Sequence, residues 1–219
     1  MLSSTEHALV TIDRWEEAYL KPTGGYGGVG VTRIQRKGPN RYRVSVDRLH
    51  DGRKLRAELG RSDLGKWVRR RVKAKYFLQR GLALLTLDGR KVDFRVVVQR
   101  GLAGKWEVVG IVPKVAAADG VVTNLVAGGE RQSLRHSTLL AEREGKQIPV
   151  DDLRAAALTI AGVIGRRFPG TGLVGFDMGV DQNGKVWLIE FNRHRYIHYT
   201  RRYISSSKPS SLGVDLSNR

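Results

Sequence analysis

Two carboxylates and one side-chain amide share one face of a single predicted hairpin, Val174–Asn192, whose sequence is VGFDMGVDQNGKVWLIEFN. Asn183-Gly184 predicts a two-residue type I′ loop, because both central residues of that turn need a positive φ. Such a loop places Gln182 opposite Lys185 and fixes the register of the two strands. The hairpin therefore becomes a specific prediction about which side chains face each other.

In that register Asp177 lies opposite Glu190, and Asn192 shares their face because side chains alternate along a strand. Two opposed carboxylates repel each other, and a bound cation would reverse that effect. Carboxylate and amide oxygens suit Mg²⁺, which keeps room for waters and phosphate oxygens. An ordinary surface hairpin with solvated acids is the alternative interpretation. The other face is apolar and predicted to face a core: Phe176, Met178, Val180, Trp187, Ile189 and Phe191.

A glycine-rich segment near the N-terminus is the second candidate for chemistry. Lys21-Pro22 precedes glycines that include Gly25, Gly27 and Gly30 in a G-x-G-x-x-G pattern. The residues that follow favour a strand, whereas a dinucleotide-binding fold needs a helix there. A Walker A loop is also excluded, because its lysine follows the glycines. The pattern predicts a flap of backbone N–H groups over phosphates, with Lys21 at its base, or else a flexible linker.

The rest of the chain adds strands and two weaker candidates. Asp93 and Arg95 share a strand face, as a structural pair or as part of a site. Asn124 and the following Gly128-Gly129 form a loop that either holds an anion or is a plain connection. Alternation and turn signals predict strands over residues 41–46, 54–59, 76–79, 91–99 and 106–115.

Composition narrows the function classes. The 219 residues carry a net charge of +18 and no cysteine, which excludes a disulfide framework, a cysteine metal ligand and a cysteine nucleophile. The charge indicates a polyanionic partner or a highly charged exterior, so a basic nucleic-acid-binding protein stays an alternative. The N-terminus lacks a basic region followed by an apolar run, and no stretch of 18 apolar residues occurs. We therefore expect no signal peptide and no membrane-spanning helix.

The order of these motifs resembles the ATP-grasp fold, and within it the YheC/YheD-type endospore coat-associated family. The matching segments are YLKPTGGYGGVGVTRI, YFLQRGLALLTLDGRKVDFRVVVQ, KWEVVGIVPKV with VTNLVAGG, and GFDMGVDQNGKVWLIEFN, which together span about residues 19–192. The resemblance implies an α+β fold of two lobes, each with an antiparallel sheet and helices, that hold nucleotide between them. We expect a smaller lobe over residues 1–78 with the glycine flap, a larger lobe over 79–200 with the metal-binding hairpin, and a flexible tail over 201–219.

The resemblance also implies a role for each matching residue. Lys21 and Arg95 would be the catalytic cations, with Arg95 on the transferring phosphoryl group or a substrate carboxylate. One or two Mg²⁺ ions, or Mn²⁺ in their place, would be held by Asp177, Glu190 and Asn192. Contacts to ATP would come from Lys21, Gly25, Gly27, Gly28, Gly30, Gln79, Leu82 and Asn124, with Gln79 and Leu82 beside the adenine.

The general reaction of this fold activates a carboxylate as an acyl phosphate, which an amine or thiol then attacks. The expected partners are thus a nucleotide and a small-molecule or peptide carboxylate, and the expected location is the cytoplasm or the spore coat. Three features differ from the family pattern. The domain that normally precedes the Lys-Pro strand is expected to be missing, and Lys114 stands where arginine is usual. Arg193-His194-Arg195 follows the E-x-N, where a Lys-Pro-type turn is common. These departures make an inactive, coat-associated fragment the alternative to a ligase.

Overall fold

Within the described residues, alternating apolar residues and turn signals produce eleven strands and four α-helices. A computed structural model describes residues 4–24, 27–101 and 103–194. The helices are α1 (Thr5–Trp15), α2 (Arg61–Lys73), α3 (Leu134–Arg143) and α4 (Val150–Arg167), with a 3₁₀ turn at Leu125–Ala127. The strands are β1 (Glu17–Pro22), β2 (Thr32–Gly38), β3 (Arg41–Val46), β4 (Leu55–Gly60), β5 (Tyr76–Arg80), β6 (Thr86–Leu87), β7 (Arg90–Arg100), β8 (Trp106–Val115), β9 (Glu130–Arg131), β10 (Leu173–Val180) and β11 (Val186–His194).

The chain divides into two compact units, each assembled from several segments. The first unit is Met1–Asp93 with Lys114–Arg131 and Val180–Lys185, and the second is Phe94–Pro113 with Gln132–Gly179 and Val186–Arg219. The lobe boundary expected at residue 78 stays a prediction, and the expected tail over 201–219 lies outside the described residues. No described helix is long and apolar enough to cross a bilayer.

The first unit is built on a five-stranded antiparallel sheet in the order β4-β3-β2-β1-β5. Its register places Tyr19 of β1 between Arg33 of β2 and Gln79 of β5. Alternate residues of the strands bury their side chains against α1 and α2. The core consists of Ala8, Leu9, Ile12, Ala18, Leu20, Ile34, Tyr42, Val44, Leu64, Val68 and Tyr76. The odd-numbered residues of β1, including Lys21, therefore lie on the sheet face away from this core.

The second sheet has the order β11-β10-β7-β8-β9, with β6 paired to β7. In the second unit α4 packs against this sheet, and a Cβ added to Gly165 would lie 3.0 Å from the Trp106 indole of β8. The buried apolar residues of this unit include Phe94, Val96, Val98, Leu153, Ala157, Ala161, Ile164, Phe176 and Met178. Two antiparallel sheets with segregated helices confirm the α+β class.

The hairpin between β10 and β11 closes differently from the prediction. Asp181 N–H donates to the Lys185 carbonyl at 3.0 Å, and Gly184 N–H donates to the Asp181 carbonyl at 3.0 Å, so the loop has three residues. Within Asn183-Gly184 only Gly184 has a positive φ, of 81°. The cause is Asp181, whose Oδ1 accepts N–H groups of Asn183 and Lys185 at 2.9 and 3.0 Å and favours the longer turn. The two-residue loop is therefore wrong.

This loop changes what can be concluded about the metal face. Counting back from a three-residue loop no longer places Asp177 opposite Glu190, so that opposition stays a prediction. On the predicted apolar face the rings of Phe176 and Phe191 have centroids 6.5 Å apart, and Phe176 is fully buried whereas Phe191 is 41% exposed. Along β11 the side chain of Ile189 is half-buried, whereas Glu190 and Asn192 are exposed.

Candidate functional site

The second unit contains the most strongly buried acid among the predicted site residues. Asp177 of β10 is 4% exposed. Arg95 of β7 donates Nε to Asp177 Oδ1 and Nη2 to Oδ2, both at 2.8 Å. A Cβ on Gly175 would lie 3.1 Å from Arg95 Nη1, so a glycine at this position makes room for the guanidinium. The sequence assigned Asp177 to a metal and Arg95 to a substrate, and the structure joins them in a bidentate ion pair.

The predicted metal ligands have the right chemistry for a hard cation. Asp177, Glu190 and Asn192 offer only oxygen atoms, and each carboxylate oxygen can accept more than one partner. Within the described residues no group of three or more histidine, cysteine or acidic side chains is placed to hold a metal ion. A cation on this face would therefore rely on the two carboxylates, the Asn192 amide and oxygen atoms of the ligand. The donor set fits Mg²⁺ on those terms.

In the first unit the loop between β1 and β2 adopts the backbone conformations that its glycines allow. Gly27, Gly28 and Gly30 have φ of 67°, 74° and 74°, and Gly25 lies outside the described residues. A Cβ on Gly30 would lie 2.7 Å from Tyr76 Oη, so this position also requires the absence of a side chain. The N–H of Gly30 donates to the Arg48 carbonyl at 2.8 Å, which removes one of the donors predicted to cover phosphates.

The loop around Asn124 is held together by its own amides. Asn124 Oδ1 accepts the N–H of Val126 at 2.9 Å, and its carbonyl accepts those of Ala127 and Gly129 at 3.0 and 3.1 Å. Gly128 N–H donates to the Leu125 carbonyl at 3.1 Å. The interpretation of this loop as a cradle of backbone N–H groups for an anion is therefore wrong for the amides of residues 126–129. A contact from Asn124 to nucleotide stays a prediction.

Lys21, Gln79 and Leu82 lie on or beside the five-stranded sheet. Lys21 is half-buried on β1 opposite Phe77 of β5, and Gln79 lies opposite Tyr19. Gly81 follows β5, and a Cβ there would lie 2.4 Å from Glu17 Cγ. The structure thus places Lys21, Gly27, Gly28, Gly30, Gln79, Leu82 and Asn124 in the first unit and Arg95, Asp177, Glu190 and Asn192 in the second.

Asp93 has partners that the sequence did not suggest. Lys114 Nζ lies 2.9 Å from Asp93 Oδ1, and the Thr123 hydroxyl donates to Oδ2. Both Asp93 and Lys114 are nearly buried, so this is an ionic pair largely removed from water. The predicted interpretation as an Asp93–Arg95 structural pair is wrong, because Arg95 pairs with Asp177.

A second polar cluster surrounds Glu17 on β1 and was not anticipated. Its carboxylate accepts hydrogen bonds from Arg33 at 2.7 Å, Gln35 at 3.0 Å, Lys91 at 2.9 Å and Tyr19 at 3.2 Å. Burial raises the pKa of Glu17, but the hydrogen bonds from Arg33 and Lys91 outweigh it and hold the pKa below its ordinary value. Burial also raises the pKa of Tyr19, as does Glu17, so the phenol stays protonated. The alternation of Glu17, Tyr19 and Lys21 along β1 was the only signal in the sequence.

Comparison with known proteins identifies the family of this chain. The family described as YheC/D-like ATP-grasp matches residues 1–208. The chain belongs to that family. Among curated proteins of Bacillus subtilis strain 168, endospore coat-associated protein YheD is 29% identical over 183 residues, covering 81% of this chain and 39% of YheD. Endospore coat-associated protein YheC is 21% identical over 178 residues, covering 79% of this chain and 47% of YheC.

The chain thus spans less than half the length of either curated relative. Among solved structures, D-alanyl-alanine synthetase A of Vibrio cholerae is 11% identical with a TM-score of 0.46, covering 94% of this chain and 57% of that one. Family membership confirms the ATP-grasp fold and the resemblance seen in the sequence. The matched residues include all of the motifs between Lys21 and Asn192.

Proposed function

We propose that this protein binds Mg·ATP and activates a carboxylate in the manner of ATP-grasp ligases. The observation that carries the proposal is the loop between β1 and β2, which follows Lys21-Pro22 at the end of β1 and has Gly27, Gly28 and Gly30 in left-handed conformations. Such a loop brings backbone close to a ligand without steric hindrance from side chains. Membership of the ATP-grasp family supports the same assignment.

In this proposal the protein supplies position and charge rather than a nucleophile. Lys21 contacts the phosphates as a point charge, and the backbone near Gln79 and Leu82 contacts the adenine. Residues 27–30 of the loop between β1 and β2 are called the glycine loop. Asn124 lies beside Gly28 of this loop and approaches the phosphates. Asp177, Glu190 and Asn192 hold Mg²⁺, which when bound neutralises phosphate charge and orients the transferring group.

Arg95 has a more specific role in the proposal because of its ion pair. A guanidinium that donates twice to Asp177 fixes the orientation of that carboxylate. The same positive charge stabilises negative charge on a phosphoryl group or substrate carboxylate during activation to the acyl phosphate. Arg95 is thus proposed to contribute to both the metal face and the transfer step.

The test is a calorimetric titration of Mg·ATP into the wild-type protein and the Lys21→Ala variant. Loss of a charge-assisted hydrogen bond costs about 1.5–3 kcal/mol, which is roughly a tenfold to hundredfold weaker affinity. Lys37→Ala is the matched control, because Lys37 is an exposed lysine of β2 in the same sheet. Absence of any binding of Mg·ATP by the wild-type protein would reject the proposal.

A coat-associated structural role without catalysis is the second candidate. The observation in its favour is that both curated relatives are named endospore coat-associated proteins. Release of ADP from ATP in the presence of carboxylic acids separates the two, because a purely structural protein would show none. Cytoplasmic synthesis followed by deposition in the coat is compatible with either candidate.

The charge of +18 leaves nucleic acid as a third partner class. Phosphate contacts are strongest at low salt, so binding of duplex DNA at low ionic strength is the sensitive measurement. Affinity that is negligible under that condition removes the nucleic-acid candidate, whereas tight, salt-dependent binding would support it.

A further inference from the structure

Asp47 is a buried carboxylate that the sequence did not single out. It follows the last residue of β3, and its side chain is 3% exposed. Oδ2 accepts the backbone N–H groups of Val121 and Val122 at 2.5 and 3.2 Å, and Oδ1 accepts Arg56 Nη2 at 2.5 Å. A carboxylate with two backbone donors and a guanidinium fixes the backbone that it contacts.

Arg56 contacts the same segment as Asp47, two residues before Val121. Its Nη2 also donates to the Asp119 carbonyl at 3.2 Å, and its Nη1 donates to the Val46 carbonyl at 2.9 Å. Asp47 and Arg56 together therefore tie the segment of residues 119–122 to the ends of β3 and β4. The segment continues directly into Thr123 and Asn124.

The residue after Asp47 holds the glycine loop. The Arg48 carbonyl accepts the N–H of Gly30 at 2.8 Å. A Cβ placed on Gly27 would lie 3.6 Å from Arg48 Nη1. Asp47 and Arg48 are consecutive, so the carboxylate of one residue holds the 119–122 segment and the carbonyl of the next holds Gly30.

The two loops also touch each other directly. A Cβ on Gly28 would lie 3.3 Å from Val122 Cγ2 and 3.8 Å from Asn124 Cβ. The backbone of the glycine loop therefore passes next to Val122, whose N–H is held by Asp47. Displacement of Val122 would remove the surface on which Gly28 rests.

We propose that Asp47 is a positioning residue that keeps the glycine loop and the 119–124 segment in the arrangement that receives the phosphates of ATP. The inference rests on the proposed function for its ligand, and the coupling of the two loops is independent of it. Without the Asp47 anchor both segments sample other conformations, and affinity falls in proportion to the fraction that stays competent. The proposed adenine contacts near Gln79 and Leu82 lie at and after β5, and they are linked to the 119–122 segment through Tyr19, which lies opposite Gln79 and donates to the Val121 carbonyl at 3.4 Å. This hydrogen bond does not involve Asp47, so we expect adenosine binding to change less than Mg·ATP binding.

The experiment compares Asp47→Asn with Asp51→Asn, an exposed carboxylate in the next turn whose partner is Arg53. Amide hydrogen exchange without ligand should become faster at residues 119–122 and also at 27–30 in Asp47→Asn, and stay unchanged in Asp51→Asn. A fall in the ordered fraction to about a tenth gives about tenfold weaker Mg·ATP binding and adenosine binding that changes by less than about twofold. A purely structural role would weaken both ligands alike.

Val122→Ala provides a second variant that leaves the Asp47 carboxylate and its hydrogen bonds intact. It should speed exchange at residues 27–30 and weaken Mg·ATP binding, because it removes the side chain next to Gly28. This variant also decides the question if Asp47→Asn fails to fold.

The outcomes separate the two proposals. Unchanged exchange at residues 27–30 in both variants, or unchanged Mg·ATP affinity in both when the wild-type protein binds, overturns the positioning role. Failure of the wild-type protein to bind Mg·ATP rejects the proposed function, and the exchange data then decide the coupling of the loops alone.

Discussion

Asp177 and Asp47 are equally buried, at 4% and 5% exposure, and yet have different surroundings. Asp177 lies in the middle of β10 and accepts two hydrogen bonds from the side chain of Arg95. Asp47 lies at the end of β3 and accepts two from backbone N–H groups as well as one from Arg56. The first arrangement connects two strands through side chains, whereas the second holds a loop.

The difference indicates which buried acid can do chemistry and which one organises the chain. A carboxylate that is bound by another side chain can accept a ligand as well, or that side chain can move to admit the ligand. Backbone donors cannot leave without moving the loop, so a carboxylate that holds them acts on structure. Burial alone therefore does not identify a site, and the type of donor is the more informative property.

The largest expected effect comes from breaking the Arg95–Asp177 pair. Arg95→Met removes the guanidinium from a buried carboxylate and should lower the free energy of unfolding by about 3 kcal/mol. Urea denaturation measures this loss, with Arg143→Met as control because Arg143 is exposed on α3. Equal stability of the two variants would show that Arg95 contributes no more than a surface arginine.

Magnesium should stabilise the protein against unfolding through the predicted ligands Asp177, Glu190 and Asn192, and not through Asp47. With excess ADP present, Mg²⁺ at about ten times its dissociation constant stabilises a protein that binds it by about 1.4 kcal/mol. Glu190→Gln should lose this increment, whereas Asp151→Asn, at an exposed position in the first turn of α4, should retain it. Thermal unfolding with and without Mg²⁺ gives the comparison, and an increment that persists in Glu190→Gln contradicts the metal assignment.

Arg56→Met should be milder than Arg95→Met. The Arg56 side chain is 39% exposed, so solvent screens its pair with Asp47, and the backbone donors to Asp47 remain. We expect a loss of about 1 kcal/mol in the free energy of unfolding, measured by the same urea titration. A loss as large as that of Arg95→Met would mean that the guanidinium, rather than the backbone amides, holds Asp47.

Glu17 is a third acid with charged partners, and its removal should have the smallest effect on stability. Its pKa lies below the ordinary value of 4.5, so the unfolded chain binds more protons than the folded one as pH falls below that value. The stability from this group is present above pH 4.5 and is lost as the pH falls through the folded pKa. Glu17→Gln should thus show a shallower decline of the unfolding midpoint between about pH 5 and pH 3.

The control for that measurement is Glu6→Gln, since Glu6 is an exposed acid of α1. It should follow the wild-type acid profile. A Glu17→Gln profile that also matches the wild type would show that Arg33 and Lys91 do not stabilise the ionised carboxylate.

Much of the fold followed from the sequence. The strands predicted over residues 41–46 and 106–115 coincide with β3 and β8, and those over 76–79 and 91–99 are one or two residues shorter than β5 and β7. Alternation is a local property of a strand, so neighbouring residues suffice to reveal it. The order of the motifs is enough to identify the ATP-grasp family without a structure.

The sequence also identified the types of residue at the candidate site, but not their partners. It singled out Lys21, the glycines, Arg95 and Asp177, whose surroundings the structure now describes. It placed Asp93 with Arg95 because they are two residues apart, and it counted the β10–β11 register from a turn that turned out one residue longer. Both errors came from extending a local pattern to a contact.

Tertiary structure alone decided the partners of the buried carboxylates Asp177 and Asp47. Arg95 and Asp177 are 82 residues apart in the chain, and Asp47 and Val121 are 74 apart. Such pairs depend on strand order, register and loop length, and a change of one residue in any of them exchanges the partners. The sequence determined most of the strands and the family, because these rest on each residue and its neighbours and on the order of the motifs. The packed structure determined the ion pairs, because burial makes an unpaired charge too costly and selects the partner that the fold brings within reach.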